Sequence, residues 1–474
     1  MAYFTRYVCL YRLDTNNTLL LNTLTSATDI IDNSTLANIQ EMINTDKTSL
    51  EDSSELFDKL KKRGYIFESK EEEQKIIDTL RSINKKSLSK VINTTFVICP
   101  TMGCNLRCTY CFEKDDQHAN FKLMSEEQLE TIFTHIKKCC VKLQEEKTTS
   151  KEIPLPRITL FGGEPLLLSN YHIVKKIFAF AEGLNIPANI VTNGAAIEDK
   201  YYELLKEYKK TISVIQITID GNQSIHDRRR IRVDGSGTFN SICDCIDKLL
   251  SIGFKINLRI NVDSENVECI SEIREIIDQR GWKQNPLLIP YASPVKCYNA
   301  REKTENILTD SEMVDKLITN GCYKGDNGFL DTLLSPVIGM VTRFFSTPEN
   351  QIKPWKKTYC EGTFGAQYCF SPDGTISTCL TCVGNRNYRI GTFDKTGVRI
   401  DRNRLNAWTK RDPFEMEKCK ECKFVLLCGG GCPVEALENN NNINCPVCDD
   451  IEKTLEIYIK HEKNRLLLEK ETHK

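Results

Sequence analysis

Histidine is scarce in this chain, six in 474 residues, and so is any imbalance of charge. Lys plus Arg number 64 against 65 Asp plus Glu, a formal net charge of −1. With no basic excess to neutralise phosphates, nucleic acid is not an expected partner. No stretch reaches the length of a membrane span, so no membrane partner is expected either. Residues 1–13 hold two arginines and no sustained apolar run, which leaves no export signal to read and makes the cytoplasm the expected compartment. Against these absences stand 22 cysteines. Disulfide frameworks belong to small secreted domains, whereas cytosolic thiols stay reduced. Thiols this dense without an export signal read as metal ligands, and the shortage of histidine favours all-cysteine clusters over mixed zinc sites.

At this length two or three domains are expected. Residues 1–90 read as a small α+β unit. Phe4–Leu13 and Thr18–Leu24 are strand-like, Asp14–Asn17 is the turn between them, and a helix follows Ser34 with Leu36, Ile39 and Ile43 on one face. A second helix over Ser53–Arg63 stops at Gly64, a short strand Tyr65–Phe67 follows, and Glu71–Lys90 is a charged linker helix. From Thr94 strands and helices alternate, the pattern of an α/β domain with a parallel sheet. Strands are expected at Thr95–Cys99, Arg157–Phe161, Ala188–Thr192, Val214–Ile219, Lys255–Val262 and Leu287–Tyr291. Helices are expected at Ser125–Val141, Asn170–Glu182, Glu198–Tyr208, Phe239–Leu250 and Val267–Gln279. Six strands with five helices fit a partial (β/α)6 barrel, whose chemistry belongs on the loops after the strands. The expected domains are 1–90, a barrel over 91–300, a bridge over 301–357 with a helix near Leu330–Phe345, a cysteine-rich domain over 358–450 and a terminal helix over 451–474. Cys297 and Cys322 in the bridge read as buried thiols.

After the first barrel strand comes a CxxxCxxC run, Cys104, Cys108 and Cys111, followed by Phe112 and Glu113. Three thiolates can take three corners of a four-iron cubane and leave the fourth iron open to a small molecule. Three core thiols or a partial zinc site with His118 are the competing readings. The run resembles the radical S-adenosylmethionine (SAM) superfamily. That resemblance implies a 4Fe–4S cluster whose open iron is chelated by SAM, and cleavage of SAM to a 5′-deoxyadenosyl radical. Strand two runs into Gly162, Gly163, Glu164 and Pro165; the glycines allow close approach of the backbone to a ligand. The match to the family's GGE motif implies that Gly162, Gly163 and Glu164 hold the SAM amino group. Thr192-Asn193-Gly194 is a further family landmark. By the same resemblance Thr218 and Asp220, followed by His226 and Arg230, face cofactor or substrate, and Arg259 and Asn261 contact the SAM carboxylate and ribose. For His226 and Arg230 a surface charge pair is the competing reading.

The C-terminal third carries Cys360, then Cys369-x4-Gly374-x4-Cys379, then Cys419-x2-Cys422-x5-Cys428-x3-Cys432 with glycines at 429–431, and then Cys445. This order resembles the SPASM domain of radical SAM peptide modifiers, which carries two auxiliary 4Fe–4S clusters. The resemblance implies Cys360, Cys369, Cys379 and Cys432 for the first and Cys419, Cys422, Cys428 and Cys445 for the second, three clusters in all. Cys382 and Cys448 are alternative ligands, and paired zinc ribbons are the competing reading. The front unit resembles the winged-helix-like peptide-recognition domain of ribosomal-peptide maturases. The implied fold is therefore an α/β radical SAM barrel between a small N-terminal α+β unit and a SPASM domain.

The resemblance implies hydrogen abstraction from a ribosomally made precursor peptide, with electrons from a low-potential donor such as flavodoxin or ferredoxin. Thioether formation, joining a Cys sulfur to carbon, is the expected outcome. The alternatives are carbon–carbon crosslinking and formylglycine formation of the anaerobic sulfatase-maturating type. Those maturases carry an Asp base directly after the Cys of the G-x4-C element, and here that position is Leu380, which cannot take a proton. A non-catalytic zinc-ribbon scaffold is the distant alternative. If residues 1–90 are a detachable docking unit, their removal leaves SAM cleavage intact and weakens peptide binding.

Overall fold

A computed structural model describes residues 3–45, 55–89, 91–113, 118, 122–147, 155–296, 306–323, 328–330, 332–333 and 359–472. Six parallel strands form its centre: Thr95–Ile98, Arg157–Leu160, Ala188–Val191, Ile212–Thr218, Ile256–Val262 and Leu288–Pro294. They pair in chain order, each beside the next, as right-handed β-α-β connections require. Ile98, Ile158, Leu160, Ile190, Ile217, Leu258 and Ile260 are fully buried, as expected of a sheet covered by helices. The covering helices are Glu126–Lys147, Tyr171–Gly183, Asp199–Glu207, Phe239–Ile252 and Ile273–Gln279. The last begins later than expected because Val267–Glu272 winds as a 3-10 turn.

The sheet does not end with the barrel. Gln367–Phe370 pairs in parallel with Thr95–Ile98, and Thr375–Ser377, Gly391–Asp394 and Gly397–Ile400 follow as antiparallel strands, so one 11-stranded sheet runs into the cysteine-rich region. At the other edge Thr332–Leu333 pairs with Tyr291 and Ala292, which corrects the helix expected to start at Leu330; the remainder of that expected helix, like Cys297, lies outside the described residues. The helix found between the barrel and this strand is Asp310–Thr319, closed at its start by a Thr309/Glu312 capping box. Cys322 is buried, as expected.

In the N-terminal unit the expected first strand is two, Tyr3–Phe4 and Val8–Arg12. Tyr3–Phe4 pairs with Ile66–Phe67, while Val8–Arg12, Asn17–Asn22 and an unforeseen Thr28–Asp32 form a three-stranded sheet. The unit does not stand apart. Tyr7, Leu24, Phe67 and Ile77 share one buried cluster with Met416, Cys419, Val425 and Leu426. Thr23 Oγ1 donates to the Lys423 carbonyl, Arg6 pairs with Glu421, and Arg81 of the linker helix pairs with Asp412 at 2.8 Å and with Glu415. The linker helix, Lys70–Ser89, is thus a clamp on the C-terminal region. The final helix, Ile451–Thr472, packs through Leu455, Ile459 and Leu466. Among the described residues no helix is long and apolar enough to cross a membrane.

Candidate functional site

Most sequence-selected barrel residues lie at or after the C-terminal end of a strand; Arg259 sits mid-strand, in register with Thr218 at the end of strand four. The loop after strand one carries Cys104, Cys108 and Cys111, all partly exposed, in contrast to the fully buried Cys99 just before it. The loop is pinned by a short strand, Leu106–Cys108, which pairs antiparallel with Arg230–Arg232 so that Cys108 faces Arg230. Cys104 Sγ accepts from the Leu106 amide at 3.4 Å and from Asn193 Nδ2 at 3.7 Å. Cys111 Sγ lies 3.6 Å from His118 Nε2, whose other ring nitrogen meets the Met102 carbonyl at 2.9 Å. Burial raises the Cys104 and Cys108 thiols, so metal binding to them must release protons.

Gly162 and Gly163 serve the cysteine loop itself. A side chain at Gly162 would meet the Thr101 carbonyl at 2.4 Å, and one at Gly163 the Gly103 carbonyl at 2.2 Å. Gly162 also has φ +107, which disfavours any other residue. The close approach expected toward a ligand is thus made in the first place to the loop that bears the thiols. Glu164 is buried, and its carboxylate accepts from the Leu166 amide at 2.9 Å, Thr192 Oγ1 at 2.8 Å and the Asn193 amide at 2.7 Å. Burial raises its pKa against these hydrogen bonds. Three donors leave lone pairs for a cationic amine. If the carboxylate takes the SAM amine that the motif implies, replacing Glu164 with Gln weakens SAM binding by about tenfold or more, one lost charge-assisted hydrogen bond, while iron content holds. Equilibrium binding to the reconstituted protein checks this, and unchanged affinity would leave Glu164 a structural carboxylate.

The strand-four and strand-five residues are joined into a network. Arg259 Nε donates to Asn261 Oδ1 at 2.7 Å, Asn261 Nδ2 to Tyr110 OH at 3.0 Å, and Arg230 Nη1 to the same hydroxyl at 2.7 Å. Thr218 is buried beside Arg259 in the sheet register. Asp220 is fully buried; it accepts from the Asn261 amide at 3.2 Å and lies 3.6 Å from Arg229. His226 and Arg230 are also buried, so the surface-pair reading fails. Burial pushes the imidazole down to about 4, and it accepts from the Asp220 amide at 3.2 Å while its other nitrogen meets Thr238. The residue missed altogether is Arg229. It donates to both Asp263 oxygens at 2.8 Å and stacks its guanidinium 4.9 Å from the Tyr110 ring centroid, within the cysteine loop. The Arg228–Arg230 run was its only trace in the sequence.

The C-terminal cysteines fall into two groups by their mutual electrostatics. Cys360, Cys369, Cys382 and Cys432 all act on Cys379 or respond to it. Hydrogen bonding from Cys382 holds the Cys379 thiol down, and Cys382 itself goes up. Cys419 interacts with Cys422, Cys428 and Cys448. Cys445 is partly exposed, and its carbonyl accepts from Arg411 at 3.1 Å. Leu380 packs with Phe161 against Cys99, Met102 and Cys369, so an apolar side chain does fill the position where maturases carry their Asp.

A parallel barrel with three half-exposed thiols on one loop, opposite a buried Gly-Gly-Glu turn, has the architecture of an enzyme whose chemistry sits at its strand ends. Residues 98–277 match the radical SAM superfamily. A serine-type anaerobic sulfatase-maturating enzyme of Bacteroides thetaiotaomicron is 31% identical over 349 residues, covering 70% of this chain and 80% of the relative. The chain belongs to the radical SAM superfamily. Among solved structures, native anSMEcpe with bound AdoMet is similar with a TM-score of 0.58 at 18% identity, over 80% of this chain and 100% of that one. Streptococcus suis SuiB is similar with a TM-score of 0.54 at 14% identity, over 95% of this chain and 99% of that one.

Membership makes a 4Fe–4S cluster and SAM the cofactors of this enzyme. The residues present fit them. Three thiols on one loop suit an iron–sulfur cluster better than an oxygen-loving metal, and N–H donors already reach Cys104 Sγ.

Proposed function

We propose that the chain is a precursor-peptide maturase that forms a thioether between a Cys sulfur and a carbon of its substrate. Cys104, Cys108 and Cys111 would hold the SAM-binding cluster, and Gly162, Gly163, Glu164, Asn261 and Arg259 would line the SAM site, with Thr218 and Asp220 behind them. When bound, the cofactors supply reductive SAM cleavage, hydrogen abstraction by the 5′-deoxyadenosyl group and acceptance of the surplus electron. The chain's own part is positional. Arg229 and Arg230 brace Tyr110 and with it the cysteine loop, Asn261 ties that loop to strand five, and Leu380 leaves the carbon–sulfur step without a carboxylate at the maturase position. Cys360, Cys369, Cys379 and Cys432, with Cys382 in reach, would hold one auxiliary cluster. Cys419, Cys422, Cys428 and one of Cys445 and Cys448 would hold the other. A low-potential flavodoxin or ferredoxin would supply electrons.

The observation that supports a precursor peptide as substrate is the reach of the fold likeness. It extends over 95% of the chain for SuiB, a structure of which has also been solved bound to the precursor peptide SuiA. For anSMEcpe it extends over 80%. The second reading, formylglycine formation, is favoured by the sulfatase-maturating relatives and opposed by Leu380. Mass spectrometry of a cognate peptide separates the two. A thioether product is lighter by two hydrogens per crosslink, one lost from carbon and one from sulfur, and its joined Cys resists alkylation. A product that keeps every alkylatable thiol rules out the thioether, and a new aldehyde establishes the maturase chemistry.

A further inference from the structure

Among the described residues, a buried cation beside the C-terminal thiols has no carboxylate partner. Arg411 is 4% exposed. All five of its N–H donors end on main-chain oxygens: Nε on Ile443 at 2.7 Å, Nη1 on Gly429 at 3.3 Å and Gly431 at 2.9 Å, and Nη2 on Gly430 at 2.7 Å and Cys445 at 3.1 Å. Three successive carbonyls can turn onto one guanidinium because Gly429, Gly430 and Gly431 have φ of 70, 84 and 77, a conformation other residues rarely adopt. A side chain at Gly430 would come within 3.2 Å of Arg411 Nη1, and one at Gly431 within 2.0 Å of the Val447 carbonyl. The sequence therefore spends its Gly-Gly-Gly run on building a socket for this one side chain.

Carbonyl dipoles solvate a buried cation but leave its charge uncancelled, and an uncompensated buried charge is costly. Among the described residues no carboxylate forms an ion pair with Arg411. Its carbonyl partners adjoin the thiols of both groups, Gly429 next to Cys428, Gly431 next to Cys432, and Cys445 itself; after burial, Cys419, Cys432, Cys428 and Cys360 are the strongest electrostatic influences on it. As neutral thiols they offer it nothing; as ligands of iron–sulfur cubanes they become parts of two anions. A cubane held by four thiolates carries net negative charge that grows by one unit on reduction, so a fixed cation beside it favours the reduced form.

We propose that Arg411 is the shared internal counter-ion of both auxiliary clusters and sets their reduction potentials higher than the thiolates alone would. It is a positioning and tuning residue, not a catalytic one, and the inference rests on the auxiliary-cluster reading above. In a crosslinking reaction such tuning suits clusters that must take up an electron from the closing bond.

The test compares Arg411→Gln, which removes the charge, with Arg411→Lys, which keeps it but loses the five-donor fork. Both are purified anaerobically, assayed for iron and titrated electrochemically with detection by electron paramagnetic resonance. In Arg411→Gln the reduced share of the auxiliary clusters at a fixed potential should fall about tenfold, a negative shift of about 59 mV for a one-electron couple. Arg411→Lys should stay near wild type, and the SAM-binding cluster should not move in either. Full iron with wild-type potentials in Arg411→Gln overturns the proposal, as does an equal shift in both variants. If Arg411→Gln fails to load iron, Arg411→Lys decides. Loading in the lysine variant supports the counter-ion, and failure in both assigns Arg411 to holding the glycine carbonyls alone. Wild-type protein with only about four irons per chain, one cubane, is a separate failure, that of the auxiliary-cluster reading itself.

Discussion

Alanine at Cys108 will give a protein that still carries iron but releases no 5′-deoxyadenosine from SAM. The same is expected at Cys104 and Cys111. The structure argues for Cys108 most directly, because its backbone is held in register with Arg230 and the turn to Cys111 closes on its carbonyl at 3.1 Å. The substitution removes one thiol from a loop that other contacts keep in place. A cubane that loses one of its three protein corners has lost the geometry that leaves a single iron open to SAM. The C-terminal thiols are separate, so about eight of about twelve irons should remain if all three cubanes form. Iron analysis with chromatography of the deoxyadenosine product reads both quantities together. Wild-type cleavage in any of the three variants would falsify the assignment of the central loop.

The second large effect is expected from removing residues 1–89. Read from the sequence, this unit looked detachable, with SAM cleavage surviving its loss. The packing points the other way. Tyr7, Leu24, Phe67 and Ile77 cover Met416, Val425 and Leu426 on the segment that carries Cys419 and Cys422. Cys9, Tyr11, Leu13, Leu19 and Leu21 are buried in the main core itself. Burial of one large apolar side chain is worth roughly 1.5–3 kcal/mol, so baring this face removes a large share of a domain's net stability of about 5–15 kcal/mol. The truncated chain should melt well below the full one and lose the irons of the Cys419 group first, about four per chain. Calorimetry and iron analysis of the anaerobically purified truncation decide it. An unchanged melting temperature with full iron would restore the detachable docking unit.

The six barrel strands were legible to within a few residues because each is an apolar, β-branched run between turn residues, a signal that needs no knowledge of partners. The CxxxCxxC run at Cys104–Cys111 and the C-terminal Cys419–Cys432 run were legible because those cysteines recur at short, fixed spacings along the chain. What could not be read depends on partners distant in sequence. Gln367–Phe370 and Thr375–Ser377 are short and partly polar; the first is held extended beside Thr95–Ile98, the second between Gln367–Phe370 and Gly391–Asp394. The Arg259–Asn261–Tyr110–Arg230 network joins strand five, the cysteine loop and the short strand Arg230–Arg232, and no local pattern marks the tyrosine as its hub. Gly162 and Gly163 read from the sequence as a close approach to a ligand; the carbonyls of residues 101–103 that they approach lie on another loop. The glycines at 429–431 read as a tight wrap around a cubane; the structure adds a guanidinium at their centre.

The shared sheet has a consequence for the order of assembly. Thr95–Ile98 has Arg157–Leu160 on one side and Gln367–Phe370 on the other, so the strand that leads into the cysteine loop gains its second neighbour only when the C-terminal third has been synthesised. Contacts of such long range form late and slowly, and domains of this size pass through partly packed species on the way. During that interval the SAM-site thiols are carried on a barrel with an open edge. The last strand to dock is therefore also the one that closes the scaffold around the first cofactor, and insertion of iron before or after that moment acts on two different proteins.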